Sequence, residues 1–226
     1  DKAGNSMSAS SKVIYLDHSD PVISGLDQVN TEWTNTAPTI DITTSDYLLG
    51  TTCNGSGVVS VVIKDDAGVT VASGASTVSY TVQPNYEGVH TWYIEATDAV
   101  GHTSTASVTT KYDITKPGID GTEVTEVVNG VTHSGYCKDN IINQHIDDES
   151  SRSENGANQS SGIKSVILYQ VTGHNRKVIY SDQTQKMFEE PDTHSFFDMY
   201  YEIPRTENKS SYYEIIVMDF AGNKTT

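Results

Sequence analysis

An internal repeat of turn and linker motifs constrains the fold of this chain more than any other feature. The turn motif D-x-x-G-[NH] occurs three times, at Asp1–Asn5, Asp98–His102 and Asp219–Asn223. The linker motif D-x-x-x-P follows the first two copies, at Asp17–Pro21 and Asp113–Pro117. Each linker is followed by the motif S-G-[VI]-x-S-V, at Ser56–Val61 and Ser161–Val166. Motifs that recur in the same order predict a chain built from repeated structural units.

The repeat predicts two whole domains and part of a third. Residues 1–16 are expected to hold the last strand of a preceding repeat, 17–112 to form one domain and 113–226 a second. The chain stops where the last strand of the second domain is expected to begin. Two interpretations stay open for 1–16: the tail of a longer repeat array, or a strand that completes residues 113–226 of another copy by head-to-tail exchange.

The second domain is longer, and the extra residues are expected in loops. From linker to turn motif, the first domain spans Asp17 to Asp98 and the second Asp113 to Asp219. With Asp46 aligned to Asp139 as a middle landmark, the insertions fall at 141–160 and within 170–200. Loops absorb added residues at little entropic cost, whereas a residue added inside a paired strand breaks its register.

Alternating apolar residues predict strands rather than helices. In GVHTWYIEATD, Trp92, Ile94 and Ala96 share one face, and SSYYEIIVMD places Tyr213, Ile215 and Val217 on one face in the same way. Strand-forming residues dominate these segments, and turn residues interrupt them about every ten positions. The predicted fold class is all-β, with packed sandwiches of antiparallel strands.

The charge of the chain excludes several classes of partner. Its formal net charge is −16, and residues 17–112 and 113–226 are both acidic. Nucleic-acid binding needs a basic face, so neither nucleic acid nor an anionic membrane is an expected partner. No apolar segment approaches the roughly 18–20 residues of a membrane span. The two cysteines, Cys53 and Cys137, are too few for a disulfide framework.

Four segments carry a resemblance to a known family. WTNTAPTIDITTSD, SGVVSVVI, GVHTWYIEATDAVGH and YDITKP resemble the tandem immunoglobulin-like repeats of bacterial, mostly Gram-positive, surface proteins. The resemblance covers 17–112 closely and 113–226 less closely, because the second domain lacks W-T-N. It implies tandem immunoglobulin-like β-sandwiches, an extracellular location at the bacterial surface, and neighbouring repeats of the same parent chain as partners.

The resemblance implies a non-catalytic function. The leading prediction is a stalk or adhesion module whose further partner is a host protein or a glycan. The alternative is an accessory glycan-binding module of an extracellular carbohydrate-active enzyme. No catalytic pattern argues otherwise: none of the seven histidines lies in H-E-x-x-H, and G-x-S-x-G does not occur.

Acidic residues at the turns and linkers have two interpretations. Asp98 and Asp219 are predicted to accept backbone N–H groups of their own turns. The alternative is calcium, drawn by these residues and by the linker acids Asp17, Asp20, Asp113 and Asp120. Calcium needs six to eight oxygen ligands, and the chain shows no D-x-D-x-D ladder. The prediction is therefore that the protein has no cofactor and no metal ligand, with calcium as the alternative.

Two further groups are candidate binding residues. Asp147, Asp148 and Glu149 lie in the acidic segment 141–160, which is either a recognition loop or a solvated loop rich in Ser, Asn and Gly. Phe197, Tyr200 and Tyr201 either stack on sugars or fill the core, since adjacent strand residues point to opposite faces. Exposure of these rings distinguishes the two interpretations.

Overall fold

The chain is all-β in every segment described. The computed structural model describes residues 2–4, 6, 16–48, 54–120, 125–128, 131–134, 141–148, 160–181, 196–202 and 212–226. These residues form two sandwiches of packed sheets, one after the other along the chain. The predicted fold class, tandem immunoglobulin-like β-sandwiches, is confirmed.

The first sandwich contains eight strands in two sheets. They are β1 (Val22–Ser24), β2 (Trp33–Thr34), β3 (Thr39–Ser45), β4 (Val58–Lys64), β5 (Thr70–Gly74), β6 (Thr77–Thr81), β7 (Gly88–Asp98) and β8 (Thr103–Tyr112). One sheet has the order β1-β3-β6 and the other β2-β8-β7-β4-β5. All pairings are antiparallel except that of β2 with β8. Two short 3₁₀ turns, Leu26–Gln28 and Pro84–Tyr86, lie in the connections.

Period-two alternation builds the core of the first sandwich. Trp92, Ile94 and Ala96 of β7 are fully buried on one face, as the sequence predicts. They pack with Ile40 and Ile42 of β3 in the same hydrophobic cluster. The indole Nε1 of Trp92 donates to the Thr110 hydroxyl at 2.8 Å, so the polar atom of this large ring is satisfied inside the core.

In the described part of residues 113–226, nine strands form the second sandwich. They are β9 (Gly118–Asp120), β10 (Thr125–Val128), β11 (Val131–Ser134), β12 (Ile141–Asp147), β13 (Ile163–Thr172), β14 (Asn175–Ser181), β15 (Phe196–Glu202), β16 (Tyr212–Asp219) and β17 (Lys224–Thr225). One sheet has the order β15-β12-β9, the other β14-β13-β16-β17, and β10 pairs with β11 as a separate hairpin. Its core is a second, distinct cluster: Ile146, Ile163, Val166, Leu168, Met199 and Val217.

The structure corrects the expected loop at 141–160. Residues 141–147 form β12, which pairs with both β9 and β15. The segment behaves as a strand because Ile142 and Ile146 alternate toward the core, and Ile146 is fully buried. Asp46 directly follows β3, and Asp148 directly follows β12, so Asp148 is the counterpart of Asp46. Asp139, the predicted counterpart, lies outside the described residues.

The extra length of the second sandwich is distributed differently from the prediction. The hairpin β10–β11 lies between β9 and β12. Within 170–200, a two-residue turn at Gly173 and His174 joins β13 to β14, and β15 begins at Phe196. Residues 149–159 and 182–195, and both cysteines, lie outside the described part of the chain.

The ends of the chain leave three predictions open. β17 pairs with β16, so a final strand begins within the second sandwich. Between 1 and 16 the structure describes residues 2–4, 6 and 16, and the assignment of this segment to a preceding repeat, the domain boundaries and strand exchange all stay predictions. A search of the described residues for a helix of membrane-spanning length and apolarity found none.

Candidate metal centres

Two clusters of three carboxylates occupy equivalent places in the two sandwiches. The first cluster is Asp17, Asp46 and Asp98, and the second cluster is Asp113, Asp148 and Asp219. Each contains the linker aspartate, the aspartate after β3 or β12, and the last residue of β7 or β16. In each cluster, one carboxylate oxygen from every residue lies within 4.8 Å of the other two. The repeat in the sequence is therefore also a repeat of this arrangement.

Backbone N–H groups at the start of β4 hold two members of the first cluster. Asp17 accepts the N–H of Ser19 at 3.0 Å and that of Ser56 at 2.5 Å. Asp46 accepts the N–H of Gly57 at 2.8 Å. These bonds favour the ionised carboxylate, and the N–H groups of Ser19 and Ser56 lower the pKa of Asp17 to about 2. The backbone N–H groups of the S-G motif thus bind the carboxylates of Asp17 in the linker and Asp46 after β3.

The third member of the first cluster organises the β7–β8 turn. One Asp98 oxygen accepts the N–H groups of Val100, Gly101 and His102 at 3.0, 2.6 and 2.8 Å, and the other lies 2.9 Å from Nδ1 of His102. Gly101 supplies the positive φ of the turn, 100°. Burial alone would raise the pKa of Asp98, but the bonds from His102 and the turn hold it below its usual value. In turn, Asp98 raises the pKa of His102. The predicted turn role of Asp98 is confirmed.

The second cluster has the same frame. Asp113 accepts the N–H of Ser161 at 2.7 Å, as Asp17 does from Ser56. Asp219 accepts the N–H groups of Gly222 and Asn223 at 2.6 and 2.7 Å, and the Asn223 side-chain amide at 2.7 Å. The predicted turn role of Asp219 is therefore confirmed as well. The same Asn223 amide donates to the Asp113 carbonyl at 2.9 Å, which joins the turn to the linker.

Asp148 differs from its counterpart because its carboxylate has no hydrogen bond of normal geometry. It is 0% exposed, and both of its oxygens lack a hydrogen bond that meets the usual distance and angle limits. Burial, followed by the nearby charges of Asp113 and Asp219, raises its pKa to about 8, although the N–H of Gly162 favours the ionised form. Burial also raises the pKa of Asp113 to about 6 and that of Asp219 above its usual value. The second cluster is thus a group of buried carboxyl groups whose ionised forms are disfavoured by burial and by one another.

The second cluster lies at the junction between the sandwiches. The N–H of Asp113 donates to the Thr34 carbonyl of β2 at 3.1 Å. The Glu87 carboxylate accepts the N–H groups of Ile114 and Thr115 at 2.7 and 2.6 Å. On the other side, the Thr225 hydroxyl donates to the Pro117 carbonyl at 2.6 Å. The linker is therefore hydrogen-bonded to both sandwiches.

Among the predicted binding residues whose side chains the structure describes, no single surface is formed. Asp148 is buried, which corrects its placement in a surface loop; Asp147 is half-buried in β12, and Glu149 lies outside the described residues. Tyr200 is 61% exposed, whereas Tyr201 packs against the second core. Phe197 pairs in register with Ile146, and its side chain is outside the description. Tyr200 pairs with Asn143, four residues or about 13 Å along β12 from Asp147.

Sequence reasoning found part of each cluster and missed the rest. Asp17 and Asp113 were predicted as linker acids, but Asp20 is exposed and belongs to neither cluster, and the side chain of Asp120 is not described. Asp46 and Asp148 were missed as cluster members. A usable signal exists: each directly follows an alternating strand and precedes the S-G motif by 10 or 13 residues.

The chemistry of the second cluster suits a hard cation. All of its three carboxylates offer oxygen, the donor that Ca²⁺ and Mg²⁺ prefer, and neither the nitrogen nor the sulfur that zinc sites usually include. Two oxygens bound to the same ion at about 2.4 Å lie no more than about 4.8 Å apart, the limit that these atoms meet. The arrangement can therefore bind a cation and hold the three segments that supply its ligands.

The chain aligns along most of its length with tandem modules of known structure. No family model matches the sequence, and no curated protein is a significant match. Titin domains A168–A170 align with 91% of the chain and 62% of their own length, at 10% identity and a TM-score of 0.44. Fibronectin(III)-like modules of Clostridium thermocellum CbhA align with 91% of the chain and 90% of their own length, at 14% identity and a TM-score of 0.32. A tetra-tandem repeat in the extending region of a large adhesion protein aligns with 92% of the chain and 47% of its own length, at 15% identity and a TM-score of 0.33.

A methyl group at Gly55 tests how closely the first cluster is packed. A Cβ there would lie 2.6 Å from both Asp46 oxygens and 2.7 Å from one Asp17 oxygen. We expect Gly55→Ala to destabilise the first sandwich by about 1–3 kcal/mol, because the carboxylates must move apart. Tryptophan fluorescence in a urea titration reports this sandwich alone, since both tryptophans, Trp33 and Trp92, lie in it.

Ser56→Ala is the matched control for this substitution. It keeps the backbone N–H that donates to Asp17 and removes only a hydroxyl 3.4 Å from Asp46. We expect a loss of no more than about 1 kcal/mol, because the hydrogen bond that is removed is long and only partly buried. Equal effects of the two variants would contradict close packing at Gly55.

Proposed function

We propose that this chain is a non-catalytic spacer segment of an extracellular bacterial surface protein, in which immunoglobulin-like modules hold a binding region away from the cell. The observation that carries the proposal is the junction, where backbone groups of Asp113, Ile114 and Thr115 bond to Thr34 and Glu87 of the first sandwich. A linker held in this way limits the rotation of one module against the next. Pro117 adds a fixed backbone angle.

The composition supports an exported spacer. A net charge of −16 keeps such a protein soluble and discourages self-association. Thin sandwiches need only a narrow core, which suits a chain with 35% hydrophobic residues. Neighbouring repeats of the parent chain are the proposed partners, and adhesion to a host protein or glycan is the proposed role of the assembled array.

The proposal is tested by how the two sandwiches tumble in solution. We expect ¹⁵N relaxation to give one common rotational correlation time, because the linker is bonded on both sides. Glu87→Ala removes the acceptor of two linker N–H groups and should let the sandwiches tumble separately. Glu95→Ala is the control, since Glu95 pairs with Lys64 on β4, away from the linker. Independent tumbling of the unaltered protein would refute a spacer role.

Exposure of Tyr200 supports one alternative, a glycan-binding module. Its ring is 61% exposed on β15, and an exposed ring can stack on a sugar. If this function is correct, Tyr200→Ala abolishes binding on a glycan array and changes stability by no more than about 0.5 kcal/mol. Tyr212→Ala, at a ring 63% exposed on the other sheet, is the control. An array without any bound glycan would reject this alternative.

A further inference from the structure

The second cluster brings together three buried carboxyl groups without a compensating cation. Asp113, Asp148 and Asp219 are each 0% exposed. Within the described part of the chain, no lysine, arginine or histidine forms an ion pair with any of them. Ionised carboxylates are rarely this buried unless they are paired or coordinate a metal.

Hydrogen bonds satisfy two of the three carboxylates and leave the third unmet. Both oxygens of Asp113 accept backbone N–H groups, from Thr115 and Ser161. Both oxygens of Asp219 accept donors of its own turn. Neither oxygen of Asp148 accepts a hydrogen bond of normal geometry, although one lies within 4.8 Å of an oxygen from each of the other two residues. A buried carboxylate directed at two others indicates a place for a cation.

The first cluster shows what the second lacks. There, Asp98 is paired with His102 at 2.9 Å, and one Asp46 oxygen accepts the N–H of Gly57, while the other Asp46 oxygen is buried without a partner. The counterpart of His102 is Asn223, whose neutral amide donates hydrogen bonds but supplies no charge. The two clusters therefore have the same hydrogen-bonded arrangement of three aspartates. The first includes the titratable side chain of His102, and the second has the neutral Asn223 in its place.

We propose that the second cluster is a calcium site, with Asp113, Asp148 and Asp219 as its protein ligands. Three carboxylates supply oxygen only, and their oxygens are close enough together to share one ion. Calcium accepts an irregular shell of six to eight oxygens completed by water, whereas magnesium demands a near-ideal octahedron. The ion would join the linker, the end of β12 and the β16–β17 turn, three segments far apart in sequence.

This inference goes beyond the spacer role, since the site binds calcium whether or not the sandwiches tumble together. We expect calorimetric titration of the full chain with CaCl₂ at neutral pH to show one ion per chain. The expected dissociation constant is about 10⁻⁴ to 10⁻³ M, the range of extracellular modules. Calcium at about 10 mM should raise the unfolding midpoint of the second sandwich by about 5–15 °C. MgCl₂ is expected to bind more weakly.

Matched substitutions assign the ion to this cluster. Asp148→Asn should lower calcium affinity at least about tenfold, the size seen even for residues behind metal ligands. Its fold should persist, because the change removes a buried charge. Glu202→Gln makes the same charge change at an exposed strand position, and Asp46→Asn makes it in the first cluster; both should keep the affinity. Absence of binding at 10 mM calcium, or loss in Asp46→Asn but not in Asp148→Asn, would overturn the proposal.

Discussion

In chelator-treated protein, the second sandwich is expected to lose about 3–4 kcal/mol of stability between pH 5 and pH 8. Burial raises the pKa of Asp148 to about 8, so the native state keeps a proton that the unfolded chain releases near pH 4. Stability falls with pH wherever the native state binds more protons, by about 1.4 kcal/mol per pH unit for one proton. Asp113, with a pKa of about 6, adds to the loss below pH 6.

The direction of this change distinguishes the cluster from ordinary surface carboxylates. A carboxylate stabilised by hydrogen bonds gives up stability on acidification, and this one gives up stability as the pH rises. Urea titrations followed by NMR signals of β13 and β16 measure the second sandwich directly. Asp148→Asn should flatten the profile, and Glu202→Gln should leave it unchanged. A profile equally steep in Asp148→Asn would show that the proton is held elsewhere.

Replacing Trp92 by alanine is expected to destabilise the first sandwich by about 3–5 kcal/mol, the range for large aromatic residues in cores. The ring is 0% exposed and packs against Tyr80 and Tyr86, with ring centroids 5.1 and 5.0 Å away. A loss of this size is a large part of the 5–15 kcal/mol that typically holds a domain together. Urea unfolding followed by the fluorescence of the remaining Trp33 measures it.

Smaller changes separate the packing of Trp92 from its hydrogen bond. Trp92→Phe keeps most of the buried surface and leaves the Thr110 hydroxyl without its donor, so we expect a loss of about 1–3 kcal/mol. Trp92→Phe combined with Thr110→Val removes both partners and should cost less than the sum of the two changes. Trp33→Phe is the control, because the buried Nε1 of Trp33 has no partner to lose. Additive losses would show that the bond contributes nothing.

Calcium and pH are linked through the same three side chains. The ion needs ionised carboxylates, whereas burial without the ion favours their protonation. Bound calcium would then stabilise a junction that is otherwise weakened at neutral pH. This consequence joins the proposed site to the proposed spacer role, and the Asp148→Asn and Glu87→Ala variants test the two separately.

The sequence by itself determined the sandwiches, their turns and the buried faces. Alternation placed Trp92, Ile94 and Ala96 on one face, and the turn chemistry of Asp98 and Asp219 was evident from D-x-x-G-[NH]. These features depend on a few consecutive residues, because a period of two and a positive φ at glycine are local properties. They can therefore be predicted from the sequence without knowing which residues pack against them.

Only the tertiary structure decided which acids converge. Asp113, Asp148 and Asp219 meet because β12 and β16 lie in opposite sheets that end at the same place, which depends on register and on how the sheets stack. Spacing along the sequence predicted Asp139 as the counterpart of Asp46. Spacing does not reveal that Ile142 and Ile146 belong to the paired strand β12, or that a hairpin precedes this strand. Insertions change the spacing of residues along the chain but not the positions of the paired strands in space. The second cluster could therefore be found only from contacts between residues distant in sequence.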